Sequence, residues 1–169
     1  VPCCIVSGNT MVLKLASMTP MTAMRINELL VEAGLPKGVV NLVTCSRVEA
    51  DLLLKHPDVK GITFVGSTSV GLHVYKEASS TGKRVQCLCE AKNHALVLND
   101  AALERSARGI INSSFGCAGE RCMALPVVVA QEGIADKLVE LLKKFAQELT
   151  LGPAYLPESK LGPVVTAKH

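Results

Sequence analysis

The order of strand-like and helix-like segments constrains the fold of this chain more than any other feature of its sequence. Short apolar runs typical of strands alternate with segments whose apolar residues recur at helical spacing. The predicted strands cover residues 11–14, 39–43, 61–65, 84–88 and 95–98. One predicted helix starts at Thr19-Pro20 and ends at Gly34, and two more cover residues 48–55 and 70–78. This alternation indicates a parallel sheet covered by helices.

The pattern changes after Asp100. Residues 101–113 form a predicted helix, and a loop rich in glycine and cysteine (SSFGCAGERC, residues 113–122) follows it. An apolar run at 124–130 predicts a buried strand, and residues 134–149 predict an amphipathic helix. The apolar face of that helix carries Ile134, Leu138, Leu141, Leu142, Phe145 and Leu149. We therefore expect one domain over residues 1–91 and the start of a second over residues 92–169.

Composition disfavours several classes of protein. Hydrophobic residues make up 49% of the chain, enough for a core rather than intrinsic disorder. A net charge of +3 and 3% aromatic residues disfavour nucleic-acid binding, and no apolar run reaches the ~18 residues of a membrane span. The seven cysteines include no CxxC pair, so no metal site is predicted. Their spacing lacks a disulfide framework, which indicates a reducing, intracellular compartment.

The turn between the strand at 61–65 and the helix at 70–78 is a candidate phosphate site. Its sequence, FVGSTSVG, places Gly66 and two hydroxyls where the helix begins. The free N–H groups and the positive end of a helix suit a phosphate, and a glycine lets the backbone approach it. A Gly-Ser turn that caps an ordinary helix is the alternative, and the spacing is not GxGxxG.

The loop CAGERC, from Cys117 to Cys122, is a candidate nucleophile site. A glycine-rich turn can expose a thiol, and Arg121 beside Cys122 would favour the thiolate that attacks carbonyl carbon. The alternatives are a buried structural cysteine, or a redox couple formed by Cys117 and Cys122.

Taken together, the segments of this chain resemble the aldehyde dehydrogenases in sequence, order and separation. They are GNTMVLK, EAGLPKGVVNLV, HPDVKGITFVGSTSVG, GKRVQ, AKNHALVLNDA, FGCAGERCMAL and LGPVVT. GKRVQ, AKNH and GERCMA resemble the CoA-acylating methylmalonate-semialdehyde dehydrogenases of that superfamily. The resemblance implies an α/β fold, with a Rossmann-like parallel sheet and helices on both faces in a partial NAD-binding domain (1–91). The start of an α/β catalytic domain would follow (92–169).

The resemblance also implies a reaction. Cys122 would attack a (methyl)malonate-type semialdehyde, the thiohemiacetal would deliver hydride to NAD, and the thioester would pass its acyl group to coenzyme A. Arg121 would pair with the substrate carboxylate, or alternatively would favour the Cys122 thiolate or form a surface ion pair. Hydrolytic members carry a glutamate base where this chain has Leu88, as expected of an acylating member.

The cofactor residues are implied by the resemblance alone. Lys14 would bind the adenosine ribose, and Gly66 and Ser67 would meet the pyrophosphate. The full cofactor set is Lys14, Ser17, Met18, Gly66, Ser67 and Val70.

Four positions depart from the family pattern. Ser17 stands where a carboxylate normally holds the ribose hydroxyls, Cys89-Glu90 replaces a Gly-Gly pair near the nicotinamide, and Cys45 replaces a glycine. Added bulk at a glycine position narrows a cofactor cleft. NAD affinity is the property that these changes affect most directly.

The resemblance covers the central part of a longer family chain, which leaves two interpretations. The first is the central part of an NAD-dependent, CoA-acylating semialdehyde dehydrogenase. The second is a truncated, inactive relative that at most binds a nucleotide or a partner. The full-length protein is expected to be a homo-oligomer acting on a small-molecule aldehyde, without nucleic-acid or membrane partners. It would lie in the bacterial cytoplasm or, in a eukaryote, the mitochondrial matrix.

Overall fold

The structure, a computed structural model, describes residues 1–167. The helices are α1 (Pro2–Val6), α2 (Met21–Glu32), α3 (Arg47–Lys55), α4 (Thr68–Ser79), α5 (Leu103–Phe115) and α6 (Glu132–Gln147). The strands are β1 (Met11–Lys14), β2 (Val40–Val43), β3 (Gly61–Val65), β4 (Arg84–Leu88), β5 (His94–Val97) and β6 (Val127–Ala130). Two compact units meet in sequence between Cys89 and Glu90.

The strands form three parallel pairs, β1 with β2, β3 with β4, and β5 with β6. One long helix connects the two strands of each pair, as a parallel connection requires. The predicted α/β class with parallel strands and intervening helices is therefore confirmed. Each pair is a separate two-stranded sheet, and its ladder spans four or five residues.

Local hydrogen bonding sets where α2 and α3 begin. Helix α2 begins at Met21, so Pro20 is its N-cap residue rather than its first helical residue. Helix α3 begins one residue before the predicted start because Ser46 forms a capping box with Glu49. The Ser46 hydroxyl accepts from the Glu49 N–H at 3.2 Å, and the Glu49 carboxylate accepts from the Ser46 N–H at 2.7 Å. The sequence pattern does not predict α1, which has only five residues.

Strand β6 is shorter than the predicted strand at 124–130, because its ladder begins only at Val127. Pro126 has no N–H to donate, and the carbonyls of Ala124 and Leu125 accept hydrogen bonds from side chains instead. Helices α5 and α6 differ from their predicted positions by two residues at each end.

The first unit has a small core between its strands and helices. Its buried apolar side chains are Leu15, Leu54, Val74 and Ala78. A contact of 2.9 Å between Nε2 of His73 and Oδ1 of Asp51 joins α4 to α3.

The core of the second unit lies between α5, α6 and one face of the β5–β6 pair. Its buried members are Val97, Ala107, Ile110, Ile111, Leu138 and Phe145. The predicted apolar face of α6 is confirmed, since Leu138 and Phe145 are only 1% and 3% exposed and the other four residues pack around them. The Arg108 guanidinium lies 3.9 Å from the centre of the Phe145 ring.

Candidate functional site

The candidate nucleophile follows a turn with unusual backbone angles. A short 3-10 turn, Gly116–Gly119, continues from the end of α5. Within it Cys117 and Ala118 have φ values of +52° and +55°, and Gly119 has +75°. The left-handed conformation costs a non-glycine residue about 1–2 kcal/mol. The chain therefore holds two strained residues a few positions before Cys122.

Exposure separates the cysteines into two groups. Cys3, Cys117 and Cys122 are exposed, and the other four are partly buried. Partial burial and then the neighbouring Cys89 raise the pKa of the Cys87 thiol. An attacking thiol must reach the substrate and ionise, so the structure leaves Cys122 accessible and makes Cys87 a poor nucleophile.

Arg121 makes its hydrogen bond to Cys117. Its Nε donates to the Cys117 sulfur at 3.3 Å. A Cβ built at Gly116 would lie 2.9 Å from Nη1 of Arg121, so the guanidinium rests against the Gly116 backbone. The sequence places Arg121 beside Cys122, whereas the described hydrogen bond holds it against the other cysteine of the loop. Residues of the preceding turn, Gly116 and Cys117, therefore orient the Arg121 side chain.

Side chains from two elements hold the backbone around Cys122. The Asn93 amide, just before β5, donates to the carbonyls of Cys122 and Ala124, at 2.9 Å each. In the last turn of α5, the Ser113 hydroxyl donates to the Met123 carbonyl at 3.1 Å, and the Ser114 hydroxyl to the Leu125 carbonyl at 2.6 Å. The sequence motifs predict no role for Asn93, Ser113 or Ser114. No spacing rule predicts hydrogen bonds between residues about thirty positions apart.

The candidate phosphate turn joins β3 to α4. Gly66 donates its N–H to the Leu88 carbonyl at 3.2 Å, and Ser67 is the N-cap residue of α4. The Ser67 hydroxyl lies 3.4 Å from that of Ser69, and in the described chain it does not cap the helix. A Cβ at Gly66 would lie 2.6 Å from Cζ of Phe64, so the ring packs directly over the glycine. Val70 lies in the first turn of α4.

The remaining predicted cofactor residues follow β1. Lys14 is the last residue of that strand, and the buried Leu15 donates its N–H to Val43 at 2.9 Å. Ser17 and Met18 are exposed beyond it. The predicted cofactor residues are thus in one unit but on two different strand pairs, while Arg121 and Cys122 are in the other unit.

Two cavities, of about 570 and 150 Å³, lie along α5 and α6. They contain none of the predicted site residues. Among residues 1–167, no group of His, Cys, Asp or Glu side chains is arranged to hold a metal ion. The same part of the chain contains no helix with the length and apolar character needed to cross a membrane.

Comparison with known proteins identifies relatives over the whole chain. The protein-family model described as "Aldehyde dehydrogenase family" matches residues 1–169 of this chain. Malonate-semialdehyde dehydrogenase 1 of Geobacillus thermodenitrificans (strain NG80-2) is 52% identical over 168 residues, covering 99% of this chain. Malonate-semialdehyde dehydrogenase 2 of Geobacillus kaustophilus (strain HTA426) is 53% identical over the same length. The chain spans 35% of the length of each of these curated relatives.

Solved structures show the same similarity. The methylmalonate-semialdehyde dehydrogenase of Oceanimonas doudoroffii superimposes with a TM-score of 0.91 at 42% identity, over 99% of this chain and 34% of that one. A Sinorhizobium meliloti 1021 structure complexed with NAD, assigned as a methylmalonate-semialdehyde dehydrogenase, gives 0.89 at 40% identity over 98% of this chain and 34% of that one.

Proposed function

The chain belongs to the aldehyde dehydrogenase family, and from this we propose that it is the central part of an NAD-dependent, CoA-acylating dehydrogenase of malonate-type semialdehydes. The observation that carries the proposal is the exposed Cys122 thiol on a backbone segment that Asn93 and two serines anchor. Nucleophilic catalysis needs an accessible thiol in a fixed place. Relatives named for malonate semialdehyde, about half identical in sequence, support the substrate class.

The chemistry that follows begins at the Cys122 sulfur. The thiolate adds to the aldehyde carbon, which forms a C–S bond and places the negative charge on oxygen. Loss of hydride from the same carbon leaves an acyl group on Cys122 as a thioester. The thiol of coenzyme A then loses its proton to solvent and attacks the thioester carbon, the C–S bond to Cys122 breaks, and the Cys122 thiolate is regenerated. NAD, when bound, supplies the hydride acceptor.

The residues after β3 are the proposed site for the pyrophosphate of NAD. The N–H groups in the first turn of a helix have no acceptor within the helix and favour an anion. Helix α4 has twelve residues, and the Ser67 side chain leaves its N-terminus uncapped in the described chain. Lys14 and Val70 would complete the site, and Ser17 and Met18 would lie at the ribose. The absence of a carboxylate at Ser17 predicts a weak hold on the ribose hydroxyls.

Arg121 is the proposed partner of the substrate carboxylate. A guanidinium presents a planar fork of N–H donors that matches a carboxylate. The hydrogen bond from Nε to Cys117 uses one donor and orients the fork without using its terminal nitrogens.

Position 88 carries leucine, which cannot activate water, so deacylation by the thiol of coenzyme A is favoured over hydrolysis.

The experiment that tests the proposal is a chimera. This chain replaces the 168 residues that it matches in the Geobacillus thermodenitrificans enzyme, and acyl-CoA is measured from malonate semialdehyde, NAD and coenzyme A. We expect activity that Cys122→Ser lowers by about 10³-fold or more and that the matched control Cys117→Ser lowers far less. Equal activity with and without the Cys122 sulfur would contradict the assignment.

One observation favours the second interpretation, an inactive relative that at most binds a nucleotide or a partner. The Cys89 sulfur packs against Gly71 of α4 so closely that a Cβ at Gly71 would collide with it. Gly71 follows Val70, a predicted cofactor residue, so the Cys89 side chain adds bulk next to that part of the predicted cofactor site. This alternative predicts that the chimera forms no acyl-CoA and that the isolated chain shows weak or no NAD binding in calorimetry.

The remaining properties of the whole protein are proposed with the activity. The substrate would be a small aldehyde with a carboxylate, and the full-length chain would be a homo-oligomer. The compartment would be the bacterial cytoplasm or the mitochondrial matrix.

A further inference from the structure

The backbone carbonyls of four successive residues, from Cys122 to Leu125, each accept a hydrogen bond from a side chain. The donors alternate along the segment. Asn93 donates to the carbonyls of Cys122 and Ala124, and the two serines of α5 donate to those of Met123 and Leu125. The segment is therefore held from two different elements of the same unit.

This arrangement is distinct from strand pairing. The ladder of β6 begins only at Val127, and Pro126 has no N–H to contribute. Backbone carbonyls next to a sheet normally accept hydrogen bonds from backbone N–H groups of the sheet or of a helix. Here the side chains of Asn93, Ser113 and Ser114 donate these hydrogen bonds, over the residues that connect Cys122 to the sheet. The position of the Cys122 peptide group thus depends on side-chain identity rather than on strand register.

The anchors also counter the strain that precedes the nucleophile. A backbone with Cys117 and Ala118 in the left-handed region relaxes unless the structure around it holds both ends. The upstream end is the last turn of α5, and the downstream end is the held segment. Asn93 binds the carbonyl of Cys122 itself, so it is the anchor closest to the thiol.

We propose that Asn93 is a positioning residue for the Cys122 thiol, supported by Ser113 and Ser114. The proposal rests on the proposed function, since it assumes that Cys122 is the nucleophile. A small misplacement of a reacting group costs a large factor in rate. The carbonyl of Cys122 lies on the same residue as the sulfur, so fixing that peptide plane limits where the thiol can point.

The test compares two isosteric substitutions in the 169-residue chain. Asn93→Asp removes both N–H donors of the anchor and keeps its shape. Asn41→Asp is the matched control, because Asn41 also donates to two carbonyls, those of Gly38 at 2.9 Å and Met11 at 3.3 Å. It lies in the first unit, and Asn93 in the second.

The first measurement is amide hydrogen exchange by NMR. The Ala124 N–H donates to the Arg121 carbonyl at 3.0 Å, inside the held segment. We expect its exchange to accelerate about tenfold or more in Asn93→Asp, with the amides of Ile110 and Ile111 in α5 unchanged, and no change at Ala124 in Asn41→Asp. Unchanged exchange at Ala124, or equal acceleration throughout the second unit, would overturn the positioning role.

The second measurement is the alkylation rate of each thiol with iodoacetamide, read by peptide mapping. In Asn93→Asp we expect the ratio of the Cys122 rate to the Cys3 rate to fall at least threefold, and in Asn41→Asp to stay the same. A ratio unchanged by Asn93→Asp also overturns the proposal.

If Cys122 reacts no faster than Cys3 in the unaltered chain, Cys122 is not the proposed nucleophile, and the hydrogen exchange of the Ala124 amide still decides the role of Asn93. If Asn93→Asp does not fold, Ser114→Ala is measured with the same expected directions and the same refuting outcomes.

Discussion

Replacing Gly66 by alanine tests the close packing at the predicted phosphate turn. The new Cβ would lie 2.6 Å from Cζ of Phe64, 3.1 Å from Cε1 and 3.4 Å from Cε2. Carbon atoms pack best at about 3.5–4.0 Å, so the ring must move by about 1 Å. Gly66 does not have a positive φ, so the cost comes from this collision rather than from the backbone.

The expected cost of Gly66→Ala is about 1–2 kcal/mol in the free energy of unfolding, within the range of about 1–3 kcal/mol that is typical of overpacking. The partly buried ring of Phe64 can move outward, which keeps the cost at the lower end of that range. Phe64→Leu removes the colliding ring atoms. In the Phe64→Leu background the same alanine is expected to cost less than about 0.5 kcal/mol, which gives a coupling energy of about 1 kcal/mol.

The assay is urea unfolding of the four proteins of this double-mutant cycle. Gly109→Ala is the matched control, because Gly109 lies within α5 and a Cβ there would meet nothing within 4 Å. The control is expected to stabilise the chain by about 0.5–1 kcal/mol, opposite in sign to Gly66→Ala. Additive effects of Gly66→Ala and Phe64→Leu would contradict a direct collision between the two residues, as would equal effects of the two glycine substitutions.

Three further predictions concern the site. Limiting iodoacetamide at neutral pH should label Cys122 well before Cys87, because Cys122 is exposed and the raised pKa of the partly buried Cys87 leaves less thiolate there. Labelling of Cys87 should catch up only in alkaline solution, and peptide mapping that finds Cys87 first would contradict this. In the chimera, Arg121→Leu should raise the KM for a carboxylated aldehyde more than that for propanal, and equal losses would contradict the carboxylate role. Ser17→Glu should strengthen NAD binding in calorimetry by restoring an acceptor for ribose hydroxyls, and unchanged affinity would place the ribose elsewhere.

Periodicity predicted the regular elements because their signals are local. The bounds of β3 and β4 agree with the apolar runs to the residue, and the apolar face of α6 agrees with the 3.6-residue repeat. Two element ends differ from the prediction because a specific side chain intervenes. Ser46 and Glu49 extended α3 by one residue, and Pro126 shortened β6.

The site was less predictable because its contacts join distant residues. Motif order and family resemblance singled out Cys122, and the structure shows it exposed. The hydrogen bond from Arg121 to Cys117 depends on the left-handed turn between them, which no propensity scale predicts for a Cys-Ala pair. Asn93 can donate hydrogen bonds to Cys122 and Ala124, 29 and 31 residues later in the chain, only because β5 pairs with β6.

The left-handed turn at residues 117–119 also limits which amino acids this loop tolerates. Glycine or asparagine at positions 117 and 118 would relieve a penalty of about 1–2 kcal/mol per residue, whereas a β-branched side chain would increase it. Gly119 has φ of +75°, and a Cβ there would lie 3.1 Å from the Ser114 carbonyl oxygen, so that position accepts almost no replacement. Random mutagenesis with selection for folding alone should enrich glycine at 117 and 118. Continued recovery of cysteine at 117 under selection for activity would then measure what the Arg121 contact contributes to fitness.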